Sequence, residues 1–210
     1  MAQSASATLH KTMYWVMAIL SVGIALGAIR YLIPGAPGGA PQVLANAATR
    51  YGVLTAHAAF AMIAMAIGPF QFFTRLRRNR PALHRRMGQI YVACCLIGGA
   101  FGLMLAIGSA AGPIATAGFG LLALGWLFTT FTAWRHAVRR DFSLHERWMI
   151  HSFALCFAAV TLRLYLIPVG VFQLEFFLAF RVISFSCWVP NILVAEWIIA
   201  RRWPRRRTAS

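Results

Sequence analysis

The chain contains 210 residues, of which 60% are hydrophobic and only 11% are charged. Soluble domains carry about a quarter charged residues, so this composition is typical of a protein embedded in a lipid bilayer. A formal net charge of +16 would suggest nucleic acid as the partner of a soluble protein. Here the charges form short clusters between long apolar runs, so we expect no nucleic-acid partner.

Six apolar runs are each long enough to cross a bilayer as a helix, which takes roughly 20 residues. They cover about residues 12–33, 51–74, 87–109, 113–134, 148–167 and 178–199. We therefore predict an all-α transmembrane helical bundle of six spans, with one transmembrane domain over residues 1–210. The segment 34–50, rich in Pro, Gly and Ala, is predicted to be a loop. The first run is too long for the apolar part of a signal peptide and is predicted to be a retained span.

The basic residues are distributed unequally between the two sides of this predicted bundle. Segments 75–86 and 135–147 and the C-terminal tail are rich in arginine. If they share one side with both termini, that side holds 16 of the 20 basic residues. Because an excess of Lys and Arg marks cytoplasmic loops, we predict that both termini are cytoplasmic.

Among the ionisable residues inside predicted spans, His57, Arg163 and Arg181 form a layer near the side that carries few charges. Such groups are costly in a bilayer and usually face the interior of the bundle. In one interpretation Arg163 pairs with Glu175 and His57 is a hydrogen-bonding residue between helices. In the other, the two arginines and the histidine form an anion-accepting or quinone-binding pocket.

Four further histidines lie near the basic side: His84, His136, His145 and His151. Neutral imidazoles bind haem iron and other metals. His145 and His151 are six residues apart, about 240° around a helix, so they cannot chelate one ion, and we predict no metal site. A b-type haem between His84 and His151 stays possible, whereas the far side offers only His57.

The last predicted span contains three unusual features. Pro190 interrupts it near its centre and frees a backbone carbonyl that neighbouring helices must satisfy. Asn191 follows directly, and Glu196 lies further along. Gln71, at the end of the second span, must likewise find a hydrogen-bond partner. The four cysteines all lie in apolar runs, and we interpret them as small buried hydrophobic residues.

Several short motifs together resemble a family of bacterial membrane proteins known as domain of unknown function 2306. They are GPFQF at 68–72, LHRRMGQIY at 83–91, AGFGLLAL at 117–124, HERWMIHSFAL at 145–155, AAVTLR at 158–163 and WVPNILVAEW at 188–197. The resemblance extends from His57 to Trp197 and implies a multi-pass protein of the bacterial inner (plasma) membrane. It places His57, His84, His145, Arg163, Asn191 and Glu196 in motif positions. At His151 the family is expected to carry a different basic residue, which weakens the haem pair.

Three functional hypotheses follow. The first is a redox-linked intramembrane site that binds haem b or a quinone, with His57, His84 and Arg163 at its centre. The second is an accessory or assembly subunit that packs against a larger membrane complex. The third is a small transporter of organic anions, although no inverted repeat supports it. No nucleophile with a base and no phosphate-binding glycine loop occurs, so hydrolase and nucleotide chemistry are not expected.

Overall fold

The computed structural model describes residues 2–33 and 40–203, with side chains from Thr12 onward. Within these ranges the chain is helical and contains no strand. Nine α-helices are present there: α1 (Ala2–Gly27), α2 (Pro41–Ile67), α3 (Thr74–Asn79), α4 (Pro81–Ala106), α5 (Pro113–Val138), α6 (Phe142–Cys156), α7 (Ala158–Val171), α8 (Phe176–Ser186) and α9 (Val189–Arg202). Two short 3₁₀-helices, Ala28–Leu32 and Pro69–Phe72, continue α1 and α2.

Six segments of the described chain are long and apolar enough to cross a membrane, so the predicted number of spans is confirmed. They are Thr12–Leu32, Pro41–Phe72, Pro81–Ala106, Pro113–Val138, Phe142–Val171 and Phe176–Arg202. Large apolar side chains project outward along them, among them Ile19, Leu121, Phe128 and Val182. Because lipid tails are as apolar as these side chains, this outward surface suits a bilayer.

The loop predicted for residues 34–50 is wrong over its second half, because α2 begins at Pro41. The sequence PQVLANAATR suits a helix, since proline is favoured in the first turn and alanine is the best helix former. The helix is interrupted only at Arg50, whose backbone is non-helical (φ −143°, ψ 43°). Residues 34–39 lie outside the described part of the chain.

The Arg50 side chain reaches across to the end of α4. Its Nη1 donates to the carbonyl oxygens of Met104 at 2.8 Å and Ile107 at 2.7 Å, and its Nη2 donates to Asn46 Oδ1 at 3.0 Å. The last carbonyls of a helix have no partner within that helix, so Arg50 caps α4.

The arginine-rich segments meet at one end of the bundle, which we call the basic end; the opposite end is called the far end. At the basic end Arg77 of α3 lies 3.5 Å from Glu146 of α6, and Arg202 of α9 lies 2.7 Å from the same carboxylate. At the far end a tight turn joins α4 to α5. It is built on Gly108 and Gly112 with positive φ, a conformation that glycine adopts without strain.

The fifth and sixth spans each consist of two helices. The break in the fifth lies at Phe157, between α6 and α7, and that in the sixth lies at Cys187 and Trp188, between α8 and α9. Pro190 therefore lies in the first turn of α9, where its missing N–H costs no helical bond, rather than inside one continuous helix as predicted.

Asn191 joins the two breaks. Its Nδ2 donates to the carbonyls of Ala154 at 3.2 Å and Cys187 at 3.1 Å, and it lies 3.1 Å from Thr161 Oγ1. In return Thr161 Oγ1 donates to Asn191 Oδ1 at 3.2 Å. Asn191, which the sequence placed in the polar site, thus donates to backbone carbonyls beside the two helix breaks.

The core between the helices contains small and polar side chains as well as large apolar ones. Tyr91 Oη lies 3.1 Å from Ser152 Oγ, which lies 2.7 Å from Thr130 Oγ1, and all three residues are fully buried. This hydroxyl chain connects α4, α5 and α6. The four cysteines are buried and free, as predicted for small hydrophobic residues.

Candidate functional site

A cavity of about 510 Å³ lies between the helices in the far half of the bundle. Its wall is mainly apolar, with side chains such as Ile24, Met62, Leu122 and Leu162. A few polar side chains interrupt that wall: Arg30, Tyr31, Gln42, Asn46, His57, Ser109, Trp126 and Arg163. No Asp or Glu is present among the described residues that line it. An apolar cavity with few, localised polar groups is the usual form of a small-molecule site.

His57, in the middle of α2, lines this cavity. Its Nδ1 lies 2.8 Å from the carbonyl oxygen of Gly98 in α4. Because a carbonyl can only accept, Nδ1 carries the proton, and in the neutral ring Nε2 is left with a lone pair. Nε2 has no partner among the described residues.

Gly102 lies on the same face of α4, one turn beyond Gly98. A Cβ atom at Gly102 would lie 3.0 Å from His57 Nδ1 and 3.1 Å from its Cε1. The absence of a side chain at this position is therefore what leaves room for the imidazole ring.

Arg163 of α7 lines the same cavity. Its Nη1 donates to the carbonyl of Ala159 at 2.7 Å, one turn earlier in the helix. The guanidinium also interacts with the hydroxyl of Tyr31, which accepts a hydrogen bond from Arg30 at 2.9 Å. His57 and Arg163, which share a depth in the sequence, therefore also share one cavity.

Arg163 does not pair with Glu175, the only acid near it in the sequence. Both Glu175 oxygens instead cap α8, where Oε1 accepts from the backbone N–H of Phe177 at 3.0 Å and Oε2 accepts from that of Leu178. No carboxylate contacts Arg163 in the described chain, so its positive charge is not compensated within the cavity.

Arg181, the third predicted member of this site, lies elsewhere. Its Nε donates to the carbonyl of Ala111 at 2.8 Å, in the turn between α4 and α5. It is exposed and does not line the cavity. Arg181 was predicted at the same depth as Arg163, but its side chain points away from the cavity.

The histidines of the basic end lie apart from the cavity. His151 Nδ1 lies 3.1 Å from the carbonyl of Arg147, and its Nε2 lies 2.9 Å from Glu196 Oε1. Both ring nitrogens thus lie within hydrogen-bonding distance of a protein oxygen, and neither is free to bind iron. His145 Nδ1 bonds the carbonyl of Ala133 at 2.9 Å.

His84 is the remaining histidine of the predicted haem pair. Its Nδ1 is buried and has no hydrogen-bond partner in the described chain, and Arg77 and His145 lie near it. No group of three or more His, Cys, Asp or Glu that could hold a metal occurs in the described ranges.

Several cavity residues were not predicted from the sequence. Gln42 and Asn46 were assigned to a loop, yet α2 brings them to the cavity wall, where Gln42 Oε1 accepts from Ser109 Oγ at 3.3 Å. Trp126, 6% exposed, also lines the cavity, and its indole N–H has no partner among the described residues. The one sequence signal for these residues was that Gln42 and Asn46 are polar and four residues apart, a spacing that places both on one face of a helix.

Two side chains of the cavity wall, Arg163 and His57, offer complementary hydrogen-bonding groups. Arg163 offers charged N–H groups to an oxygen atom, and the neutral His57 ring offers a lone pair to a hydroxyl group. The surrounding wall is apolar and suits a ring or an aliphatic tail.

These features define a multi-pass α-helical membrane protein with a cationic, ligand-sized cavity inside the bundle. The chain belongs to the family described as predicted membrane protein, domain of unknown function 2306, which it matches over residues 54–199. The matched region contains His57, Trp126 and Arg163, whereas Tyr31 and Asn46 precede it. No curated protein and no solved structure matches the chain.

Proposed function

We propose that this protein binds a quinone-type molecule from the bilayer in the far-half cavity, with Arg163 and His57 as its polar contacts. The observation that carries this proposal is the position of both side chains in the wall of one apolar cavity that contains no carboxylate among its described residues. A half-buried arginine without an acidic partner favours a ligand that brings a further acceptor. A quinone carbonyl provides that acceptor, and the quinone's ring and tail suit the apolar wall.

The donor and the acceptor suit the two redox states of such a ligand. In the oxidised form, Arg163 donates to a carbonyl oxygen. In the reduced form, the hydroxyl group of the quinol donates to Nε2 of the neutral His57 ring. The site therefore suits both the oxidised and the reduced form of such a ligand.

A b-type haem fits these residues less well. Its usual intramembrane form has two histidine ligands on facing helices, but His57 is the only histidine among the described residues that line the cavity. At the basic end both nitrogens of His151 already lie within hydrogen-bonding distance of a protein oxygen. We therefore favour a quinone over haem b as the ligand.

The proposal is tested by titrating the purified protein, in detergent, with a short-tailed benzoquinone and a short-tailed naphthoquinone. We expect Arg163→Gln to weaken binding about 10- to 100-fold, the usual effect of losing a charged hydrogen bond. Arg181→Gln removes the same charge at the same end, outside the cavity, and should leave the Kd unchanged. Equal Kd values for wild type and Arg163→Gln would refute the proposal.

An absorption spectrum of the same sample, oxidised and reduced with dithionite, distinguishes the two cofactor classes. We expect no Soret band from protein produced with ample haem. A Soret band that is lost in His57→Ala would replace the quinone by haem in this cavity.

A second function is favoured by one feature, the uncompensated charge of Arg163 next to Arg30. This pair suits the carboxylate of an organic anion, which the protein would carry across the bilayer. Uptake of a radiolabelled amphipathic carboxylate into proteoliposomes, lost in Arg163→Gln and retained in Arg181→Gln, would favour transport over quinone binding.

We also propose that the membrane is the bacterial inner membrane, with the basic end and both termini in the cytoplasm. The distribution of basic residues supports this orientation. Single cysteines at the exposed residues Arg78 and Ala110, introduced into a variant without native cysteines, test it in intact spheroplasts. A membrane-impermeant maleimide should label only the cysteine at 110; labelling only at 78 would reverse the orientation.

A further inference from the structure

A second set of polar side chains meets at the basic end, away from the cavity. It combines residues of the Pro69–Phe72 turn and of α3, α4, α6 and α9. We call it the basic-end cluster, and its members are Gln71, Arg77, His84, Glu146, Arg147 and Arg202.

The cluster has more positive than negative charge. Glu146 Oε1 lies 2.7 Å from Arg202 Nη2 and 3.5 Å from Arg77 Nη1, so one carboxylate oxygen forms ion pairs with two guanidinium groups. Arg147 and Arg202 both lie over the ring of Trp203, at 5.1 and 5.0 Å from its centre. Arg77 and Arg202 thus share a single carboxylate, Arg147 has none as a partner in the described chain, and the excess charge attracts an anion.

The same cluster contains buried donors without a partner. The Nε2 of Gln71 and the Nε of Arg147 can only donate, and neither has an acceptor in the described chain. Gln71 is 7% exposed, and its Oε1 would lie 3.2 Å from a Cβ at Gly88, one turn along α4 from His84. The buried Nδ1 of His84 is likewise unpartnered. The amide nitrogen of Gln71 therefore lacks the hydrogen-bond partner that the sequence led us to expect.

Unpaired buried donors are destabilising unless an acceptor reaches them. Water could supply one acceptor, but water does not balance the excess of positive charge. A phosphate group does both, because it offers several acceptor oxygens and negative charge, and arginine binds it well. Basic pockets between transmembrane helices are known to hold anionic head groups.

We propose that the basic-end cluster is a binding site for a phosphate-bearing anion, held between α3, α4, α6 and α9. The anion is either the head group of an anionic phospholipid or a soluble phosphate. In both cases the arginines hold the phosphate oxygens, and Glu146 competes with the ligand for Arg77 and Arg202.

The experiment measures ligand retention in two arms. In the first, native mass spectrometry counts phosphatidylglycerol retained by protein released from nanodiscs, with phosphatidylcholine nanodiscs as the reference. In the second, isothermal calorimetry measures binding of inorganic phosphate to detergent-purified protein. The variant Arg77→Gln/Arg202→Gln is compared with Arg78→Gln/Arg85→Gln, which removes the same charge at exposed positions of the same end.

We expect the first double variant to weaken binding about 25-fold, from about fivefold for each arginine near an anionic surface. The control double variant should bind as the wild type does. Weakening in the phosphatidylglycerol arm identifies a lipid head group, and weakening only in the phosphate arm identifies a soluble ligand. A folded Arg77→Gln/Arg202→Gln variant with wild-type binding in both arms would overturn the proposal.

A second pair of variants keeps the proposal testable if the double variant does not fold. Glu146→Gln removes the competing carboxylate and should tighten binding several-fold. Glu196→Gln changes the net charge equally at the same end, where Glu196 pairs with His151, and should change binding little. Equal effects of the two substitutions would show a response to net charge alone and would also overturn the proposal.

Discussion

The Nδ1 atom of His57 lies 2.8 Å from the carbonyl oxygen of Gly98, and this bond joins α2 to α4 at the wall of the cavity. It fixes the proton on Nδ1 and orients the ring, so that Nε2 is the nitrogen left for a ligand. The position of this ring depends in turn on the glycine next to it.

Gly102→Ala should reduce quinone binding without unfolding the protein. The new Cβ would lie 3.0 Å from His57 Nδ1, so the ring must move and its bond to Gly98 is strained. We expect at least a tenfold increase in Kd, the equivalent of about 1.4 kcal/mol, in the same quinone titration.

Gly120→Ala is the matched control for that substitution, because no atom lies within 4 Å of a Cβ built at Gly120. It should bind the quinone as the wild type does and gain up to about 1 kcal/mol of stability from its better helix propensity. Equal Kd values for the two variants would mean that the His57 ring does not contact the ligand.

Gly118→Ala should destabilise the bundle itself. A Cβ at Gly118 would lie 2.7 Å from the Cβ of Ser184 and 2.9 Å from its backbone carbon, so α5 and α8 must separate. Overpacking of this kind costs typically about 1–3 kcal/mol. A lower Tm than that of Gly120→Ala, in the same detergent, is the expected result, and an equal Tm would contradict the close approach of these helices.

Asn191→Leu should destabilise the protein by about 1–2 kcal/mol, because it leaves the carbonyls of Ala154 and Cys187 without their donor. Reversible unfolding in increasing SDS measures the loss. Ser186→Ala, which removes only a bond to Val182 within the same helix, should be nearly neutral. Unchanged stability of Asn191→Leu would show that the breaks in the fifth and sixth spans do not depend on Asn191.

The spans were predictable from hydropathy because every backbone polar group in a bilayer must be satisfied within helices. The first turns of α2 were not predictable, because the prolines and glycines of residues 34–41 indicated a loop. The charge of Arg50 also indicated a loop, whereas its side chain caps α4. Neither the break at Phe157 nor the break at Trp188 has a proline or glycine at the break itself. The break at Phe157 was therefore not predicted, and the break at Trp188 was predicted at Pro190 instead.

For the site, the sequence predicts how deep in the bilayer each residue lies, but not the direction in which its side chain points around the helix. Depth grouped His57 with Arg163, and the structure places both in one cavity. The same reasoning grouped Arg181 with them, although it points to the turn at Ala111. The same reasoning also paired His84 with His151, although both ring nitrogens of His151 have other partners. Contacts of this kind depend on rotation about the helix axis and on which helices are neighbours.

The most direct test of the central claim is to identify the quinones that remain bound to the protein after purification in a mild detergent. Quantitative mass spectrometry of an organic extract should find about one quinone per chain in wild type and in Arg181→Gln, as expected for a single formed pocket. The same extract from Arg163→Gln should be strongly depleted. A wild-type protein without quinone, or equal amounts in all three samples, would contradict the account.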